Sequence, residues 1–199
     1  MLDQLRRANR DDVAALVEVL ARAFDEDPWV TWLVRKDAGR ARGIRRLFEM
    51  CLADLALEHD EVWTTAARSA AALWIPPGKW KVRAWDQLRM LPGAVRISGW
   101  RRLPEIGRST AGIARAHPRE PHWYLLQLGV DPPAQGQGLG RALLAPVLER
   151  CDAAGVGAYL ETAKESNVRF YRRDGFEVRA EHPIPGGPMV WAMWREPRR

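Results

Sequence analysis

Residues 130–144 read Val-Asp-Pro-Pro-Ala-Gln-Gly-Gln-Gly-Leu-Gly-Arg-Ala-Leu-Leu and hold the densest chemical signal in the chain. An apolar run from Trp123 to Val130 stops at a proline pair. A loop carrying Gly136, Gly138 and Gly140 follows, and then an amphipathic stretch from Arg141 to Cys151. The pattern is strand, glycine turn, helix. Glycines clear side chains from the place where backbone N–H groups converge at a helix N-terminus, which makes a cradle for a phosphate or pyrophosphate. Further along, Asn167 and Tyr171 stand four residues apart, so a helix there puts both on one face. Gly129 is an odd choice inside a core strand unless backbone must pass closely.

Three kinds of glycine loop compete. A nucleoside-triphosphate loop requires Gly-x-x-x-x-Gly-Lys-Ser/Thr, and no Lys-Ser/Thr follows here. A dinucleotide loop requires Gly-x-Gly-x-x-Gly after an early strand. Here the spacing is Gly-x-Gly-x-Gly and the loop lies past the middle of the chain. The third pattern is Gln/Arg-x-x-Gly-x-Gly/Ala after Val-x-Pro. Gln135, Gly138 and Gly140, behind Val130-Asp131-Pro132, fill it.

The elements that position these residues follow from periodicity and punctuation. Leu5 to Ala8 reads as a short strand. Asp11 or Asp12 is the expected cap of a helix whose apolar residues fall at Val13, Leu16, Val17, Leu20 and Phe24, and which Asp25-Glu26-Asp27-Pro28 ends. Trp29 and Trp32 then sit in a loop. A second helix is predicted from about Arg40 to Leu57, and strands over Glu61–Thr65 and Ser69–Ile75. Residues 79–118 read as broken helices. The strand at 122–130 and the helix at about 138–154 are followed by a strand over Gly157–Thr162. Ser166 is the expected cap of a helix over Asn167–Arg173, stopped by Asp174-Gly175. Phe176–Glu181 and Met189–Trp194 are the last strands. This mixed order argues for an α/β fold with a mixed sheet.

Three pieces occur in a familiar order: the Val130–Gly140 loop, Leu160-Glu161-Thr162, and Asn167-Val-Arg-Phe-Tyr-Arg-Arg-Asp-Gly-Phe176. Together they resemble the GNAT superfamily of acetyl-CoA-dependent N-acetyltransferases, over residues 122–194. The resemblance implies one domain over 1–199, with a mostly antiparallel central sheet splayed at the cofactor site and helices on both faces. Its cofactor-binding core would span about 121–195, and variable acceptor-side helices about 28–60 and 79–117. Arg10–Val13, His117–Pro121 and Ala154–Val156 add a likeness to a subfamily that acetylates an antibiotic amine.

The resemblance also implies roles. Gln135, Gly136, Gln137, Gly138, Gly140 and Arg141 would bind the CoA pyrophosphate, helped by the helix dipole. Leu128 and Val130 would run beside the pantetheine arm, with Val130 N–H polarising the thioester carbonyl. Asn167 would contact the cofactor's amide arm. Tyr171 would protonate the leaving thiolate, whose thiol has an ordinary pKa of about 8.5. For the base that deprotonates the amine, Glu161 acting through water ranks first and His122 second, with bulk water a third route. Gln127, where many family members carry a carboxylate, cannot take a proton. Trp29 and Trp32 are the expected acceptor-pocket walls. The run Asp25-Glu26-Asp27 is either a solvated helix end or an attractor for a cationic amine.

Composition narrows the function classes. The balance of 47% hydrophobic and 28% charged residues is that of an ordinary globular domain. Net charge is +6, but Lys and Arg are scattered and form no nucleic-acid module, so nucleic acid is not the expected partner; the family resemblance implies a small-molecule amine. No apolar run is long enough for a membrane span, and no secretion signal is visible. Cys51 and Cys151, far apart in sequence, fit a reducing cytoplasm. They are expected to lie away from the reacting atoms, against a thiol route. No His/Cys spacing suggests a metal. A homodimer is expected through an exposed last strand around Trp191 and Trp194.

Overall fold

The computed structural model describes residues 4–198. Seven strands form one sheet in the order β1-β2-β3-β4-β5-β7-β6. They are β1 (Leu5–Arg7), β2 (Val62–Thr65), β3 (Ala70–Ile75), β4 (His122–Val130), β5 (Gly157–Thr162), β6 (Glu177–Pro183) and β7 (Met189–Arg195). All neighbours are antiparallel except β4 and β5. Among the described residues, seven α-helices pack around the sheet: α1 (Val13–Ala23), α2 (Pro28–Leu33), α3 (Arg40–Glu49), α4 (Ala84–Ser98), α5 (Leu103–Ala116), α6 (Leu139–Ala154) and α7 (Glu165–Arg172).

Strand β3 shows how the layers are built. Every residue in it is buried, and the period of two sends alternate side chains to opposite cores. Ala71, Leu73 and Ile75 pack with Leu16 and Leu20 of α1 and with Phe48 of α3. Ala70, Ala72 and Trp74 pack with Leu143, Leu144 and Val147 of α6. The α/β fold with helices on both faces is therefore as expected.

Two features of β4 create the site. Its register against β3 slips between Leu73 and Trp74, so Leu126 bulges out of the ladder. On its other side, β4 pairs with β5 only from His122↔Gly157 to Leu125↔Leu160. Beyond those pairs the strands part, and the sheet is forked. Asp131 N donates to Ser69 O on the β3 side (2.8 Å), so strand alternation turns Val130 N–H and Leu128 N–H into the fork.

Several local expectations are corrected. Asn9, not Asp11 or Asp12, caps the first helical turn. Its side chain accepts from Asp11 N, and Asp12 accepts back from Asn9 N, each at 2.9 Å. Trp29 and Trp32 are not in a loop: Asp27 caps α2 by accepting from Trp29 N and Val30 N, and Pro28 stands at its first turn. The second helix loosens into a π turn over Met50–Ala56 and ends at Asp60, whose φ is +55°. Lys164, not Ser166, precedes α7, without a side-chain cap. Strand β7 is not a free edge: it lies between β5 and β6, and Trp194 is buried. The outer strand on that side is β6, so the pairing surface expected around Trp191 and Trp194 is already filled within the chain. No helix among the described residues is long and apolar enough to cross a membrane.

Candidate active site

The glycine loop opens onto a cleft of about 820 Å³. Gly136 and Gly138 adopt φ of +77° and +80°, which L side chains resist, and a Cβ on either would meet nothing within 4 Å. Helix α6 starts at Gly138 without a side-chain cap, and its first internal bond is Ala142 N to Gly138 O (3.0 Å). The N–H groups of Leu139, Gly140 and Arg141 are therefore left without an intrahelical acceptor at the positive end of the dipole. Gln135 lies on the cleft and donates to Val130 O (3.1 Å), tying the loop to the strand end. The Gln137 side chain reaches back to Pro133 O (3.5 Å) and does not line the cleft, so only its backbone is left for a ligand.

Cations ring the cleft. Arg141 Nε binds Asp174 (2.7 Å), so its side chain is already engaged. Arg22 holds Asp131 through two bonds of 2.8 and 2.7 Å, and Lys164 and Arg173 complete the lining. Gly129 faces α1: a Cβ there would lie 2.6 Å from Leu20 Cδ2 and 3.0 Å from the Phe24 ring. Close approach does require this glycine, but what approaches is a helix side face.

A second cavity of about 360 Å³ lies on the other side of the fork. Its apolar walls include Trp29, Val30, Leu47, Trp80, Ile113 and Val190, and its polar groups include Asp27, His117, Tyr124, Gln127 and Glu161. The two cavities share Phe24, Asp27, Leu128, Asn167 and Tyr171. Tyr171 is buried, its hydroxyl has no hydrogen-bond partner among the described residues, and burial raises its pKa, next to the Asp27 charge. It thus stands at the junction as a neutral O–H donor. One turn earlier, Asn167 Nδ2 donates to Thr162 Oγ1 (3.2 Å).

Glu161 is the first β5 residue past the last β4–β5 pair, so it sits in the fork itself. Tyr124 OH donates to its Oε2 (2.8 Å) and Tyr159 OH to its Oε1 (2.9 Å). Burial, and then the Glu161 charge, push both phenol pKa values up, which keeps both protons in place. His122 does not reach this cavity. It is 2% exposed and lies behind His117, with the two Nε2 atoms 3.0 Å apart. The expected second-choice base is therefore corrected: another imidazole stands between it and any acceptor. Trp32 is also turned away, buried against Ala163, Ile184 and Val190, whereas Trp29 lines the cavity. Cys51 does lie on the cavity wall, contrary to expectation, but burial pushes its thiol up to about 12.

Sequence reasoning missed Tyr124, Tyr159 and His117. The two tyrosines carried a signal: Tyr159 and Glu161 are two apart on a strand, and Tyr124 is the parallel-register partner of Tyr159. Trp80 lines the cavity and stacks on His117 at 3.8 Å between centroids. Trp85 and Trp100 are exposed, at 68% each.

Known proteins resemble this chain in sequence and in fold. A mycothiol acetyltransferase of Salinispora arenicola is 29% identical over 172 residues, covering 82% of this chain and 46% of its own length. An uncharacterised N-acetyltransferase of Schizosaccharomyces pombe is 35% identical over 75 residues, covering 37% of this chain and 30% of its own. The chain thus spans less than half the length of these curated relatives. Among solved structures, a histone acetyltransferase HPA2-related acetyltransferase of Corynebacterium glutamicum superposes with TM-score 0.74 and 25% identity, over 100% of this chain and 98% of that one. Arylalkylamine N-acetyltransferase 2 of Aedes aegypti shares the fold, with TM-score 0.65 and 13% identity over all of both chains. The model of the acetyltransferase (GNAT) family matches residues 60–176, more than half of the chain, and this protein belongs to that family.

Proposed function

We propose that this protein transfers the acetyl group of acetyl-CoA directly to the primary amine of a small molecule, both substrates being bound together. The observation that carries this reading is the junction of the two cavities at Leu128, Asn167 and Tyr171. The family uses acetyl-CoA as co-substrate. The cleft suits its diphosphate: two glycines with positive φ leave open space, and a helix start offers free N–H groups. The fork suits its extended arm, because Leu128 and Val130 present backbone N–H groups that no strand takes. In this reading Val130 N–H stabilises the thioester oxygen as charge develops on it. Tyr171 gives its proton to the departing sulfur, and Glu161 takes one from the incoming amine.

Acceptor size supports a small molecule. A cavity of 360 Å³ has room for about a dozen water molecules at liquid volume. Its aromatic and aliphatic walls favour an apolar or flat body, with Asp27 and Glu161 for a cationic amine. The likeness of Arg10–Val13 and His117–Pro121 to puromycin N-acetyltransferase points to the same class. Both buried thiols are held protonated, with Cys51 and Cys151 each pushed up to about 12, which favours direct transfer over an acyl-enzyme.

The test is thiol release from acetyl-CoA across a panel of small apolar amines, polyamines and peptides, with mass detection of the product. Acetylation of compact monoamines is expected. Acetylation of peptides alone would overturn the small-molecule assignment. Calorimetric binding of acetyl-CoA without turnover on any amine would make the chain a sensor instead of an enzyme, and absence of binding heat would remove the whole reading.

A further inference from the structure

Behind Glu161 runs a buried chain of groups that the transfer chemistry above does not use. Glu161 Oε1 lies 3.6 Å from His117 Nδ1, inside ion-pair range. His117 Nε2 lies 3.0 Å from His122 Nε2, and His122 Nδ1 lies 2.7 Å from the Glu120 carbonyl oxygen. Both imidazoles are buried, at 6% and 2% exposure. Rings close the assembly on every side. Trp80 stacks on His117, Tyr124 and Tyr159 meet its edge, and Trp194 meets His122.

The proton positions follow from donor and acceptor chemistry. A carbonyl oxygen only accepts, so His122 carries its proton on Nδ1. Burial, chiefly, lowers the His122 pKa, against the Glu120 carbonyl bond, which raises it; in the neutral ring that burial favours, the proton on Nδ1 leaves Nε2 as a lone pair. That lone pair requires a donor, which fixes His117 as the Nε2–H tautomer. A neutral His117 then turns the lone pair of Nδ1 toward Glu161.

We infer that Glu161 and His117 together form the proton acceptor of the reaction, and that His122 is a positioning residue that holds His117 in the tautomer able to receive the proton. The inference rests on the reading of Glu161 as the group that meets the amine. The ammonium of the acceptor gives one proton to the Glu161 carboxylate. That proton passes to His117 Nδ1, leaving an imidazolium beside a restored carboxylate. The amine lone pair then forms the C–N bond as the C–S bond breaks. A second proton leaves nitrogen for the restored Glu161 carboxylate, and Tyr171 supplies one to sulfur, leaving its phenolate to be reprotonated before the next turnover. The chain is not a conduit to solvent, because the Glu120 carbonyl cannot take the His122 proton onward. The charged and titratable groups facing the pair are Glu161, Tyr124 and Tyr159 at His117, and Glu120 at His122, with Arg179 lying 3.8 Å from the Glu120 carboxylate. Lys81 Nζ lies over the Trp80 ring, 5.4 Å from its centroid, and Arg179 lies over Trp194 at 3.9 Å.

The test combines nitrogen-15 NMR of the wild-type histidines with pH profiles of kcat/KM for one good amine. The NMR is expected to show His117 as Nε2–H and His122 as Nδ1–H at neutral pH; His117 as Nδ1–H would overturn the inference without any variant. Glu161→Gln and His117→Gln are each expected to lower kcat/KM about 100-fold at pH 7, with recovery as rising pH deprotonates the amine itself. His122→Gln keeps an acceptor for His117 and should retain most activity. His122→Phe removes it and should lower kcat while leaving KM for acetyl-CoA unchanged. Wild-type rates in Glu161→Gln would defeat the base assignment itself. A slow Glu161→Gln beside a wild-type His117→Gln would defeat only the part given to the imidazoles.

Discussion

Replacing Gly129 by alanine should push α1 off the sheet. The added Cβ would sit 2.6 Å from Leu20 Cδ2, 3.0 Å from Phe24 Cε2 and 3.4 Å from Ala23 Cβ. Gly129 has no positive φ, so backbone strain contributes nothing and crowding alone decides the outcome. Leu20 is fully buried, and the Ala23 Cβ is fixed to the helix backbone. Overpacking of this kind costs about 1–3 kcal/mol. For a chain of this size each kcal/mol moves Tm by about 2–4 °C, so the expected fall is roughly 2–12 °C. Function should suffer with stability, because Phe24 borders both cavities and Arg22 of the same helix holds Asp131 at the loop. The assay is urea unfolding and acetyl-CoA calorimetry of Gly129→Ala, Leu20→Val and the double variant. Removing a methylene from Leu20 should relieve part of the crowding, so the double-mutant cycle should show a favourable coupling of at least about 0.5 kcal/mol. A loss under about 0.5 kcal/mol in Gly129→Ala, or strictly additive effects, would refute the claim that helix contact demands this glycine.

Other expectations follow from single groups. Tyr171→Phe should reduce kcat more than acetyl-CoA affinity, measured by turnover and calorimetry; unchanged turnover would remove its part as acid. Asp12 is buried, and its carboxyl is held well below the usual range, first by Arg6 and then by Arg68 and Asn9 N–H against the opposing effect of burial. Its ionised form therefore stabilises the fold above the unfolded pKa of about 3.9, and that contribution is lost as pH falls toward the lower folded value. Asp12→Asn should cost about 1–3 kcal/mol at pH 7, and the gap to wild type in urea unfolding should narrow below about pH 4. Because burial pushes the Cys51 and Cys151 thiols up to about 12, both should resist iodoacetamide at pH 8 in the native protein and react after unfolding.

The elements with strong period or punctuation were legible. The strand read at 122–130 coincides with β4, and the glycine stop at Gly155 marked the end of α6. Pro28 was legible but misread: it stands at the first turn of α2, where its missing N–H costs nothing, and Asp27 before it is the cap. Strand order was not legible at all. Nothing local says that β7 inserts between β5 and β6, because the β6–β7 hairpin fits the sheet either way round. The glycine loop stood out by residue type and spacing, and Asn167, Tyr171 and Glu161 were marked out by the family resemblance. His117 did not. Its meaning comes from Trp80, far upstream, and from Glu161, far downstream, and only the folded sheet brings those three together.

The fork between β4 and β5 leaves an unfinished rung in the middle of an otherwise continuous ladder. Zipping those strands to their ends would satisfy idle amides and make a sturdier molecule. In the proposed reaction it would also seal the slot through which Glu161 and Val130 meet the substrates. Screening this protein for heat resistance alone would therefore reward variants that close the gap and silence the chemistry, so a stabilisation campaign here must select for turnover at every round.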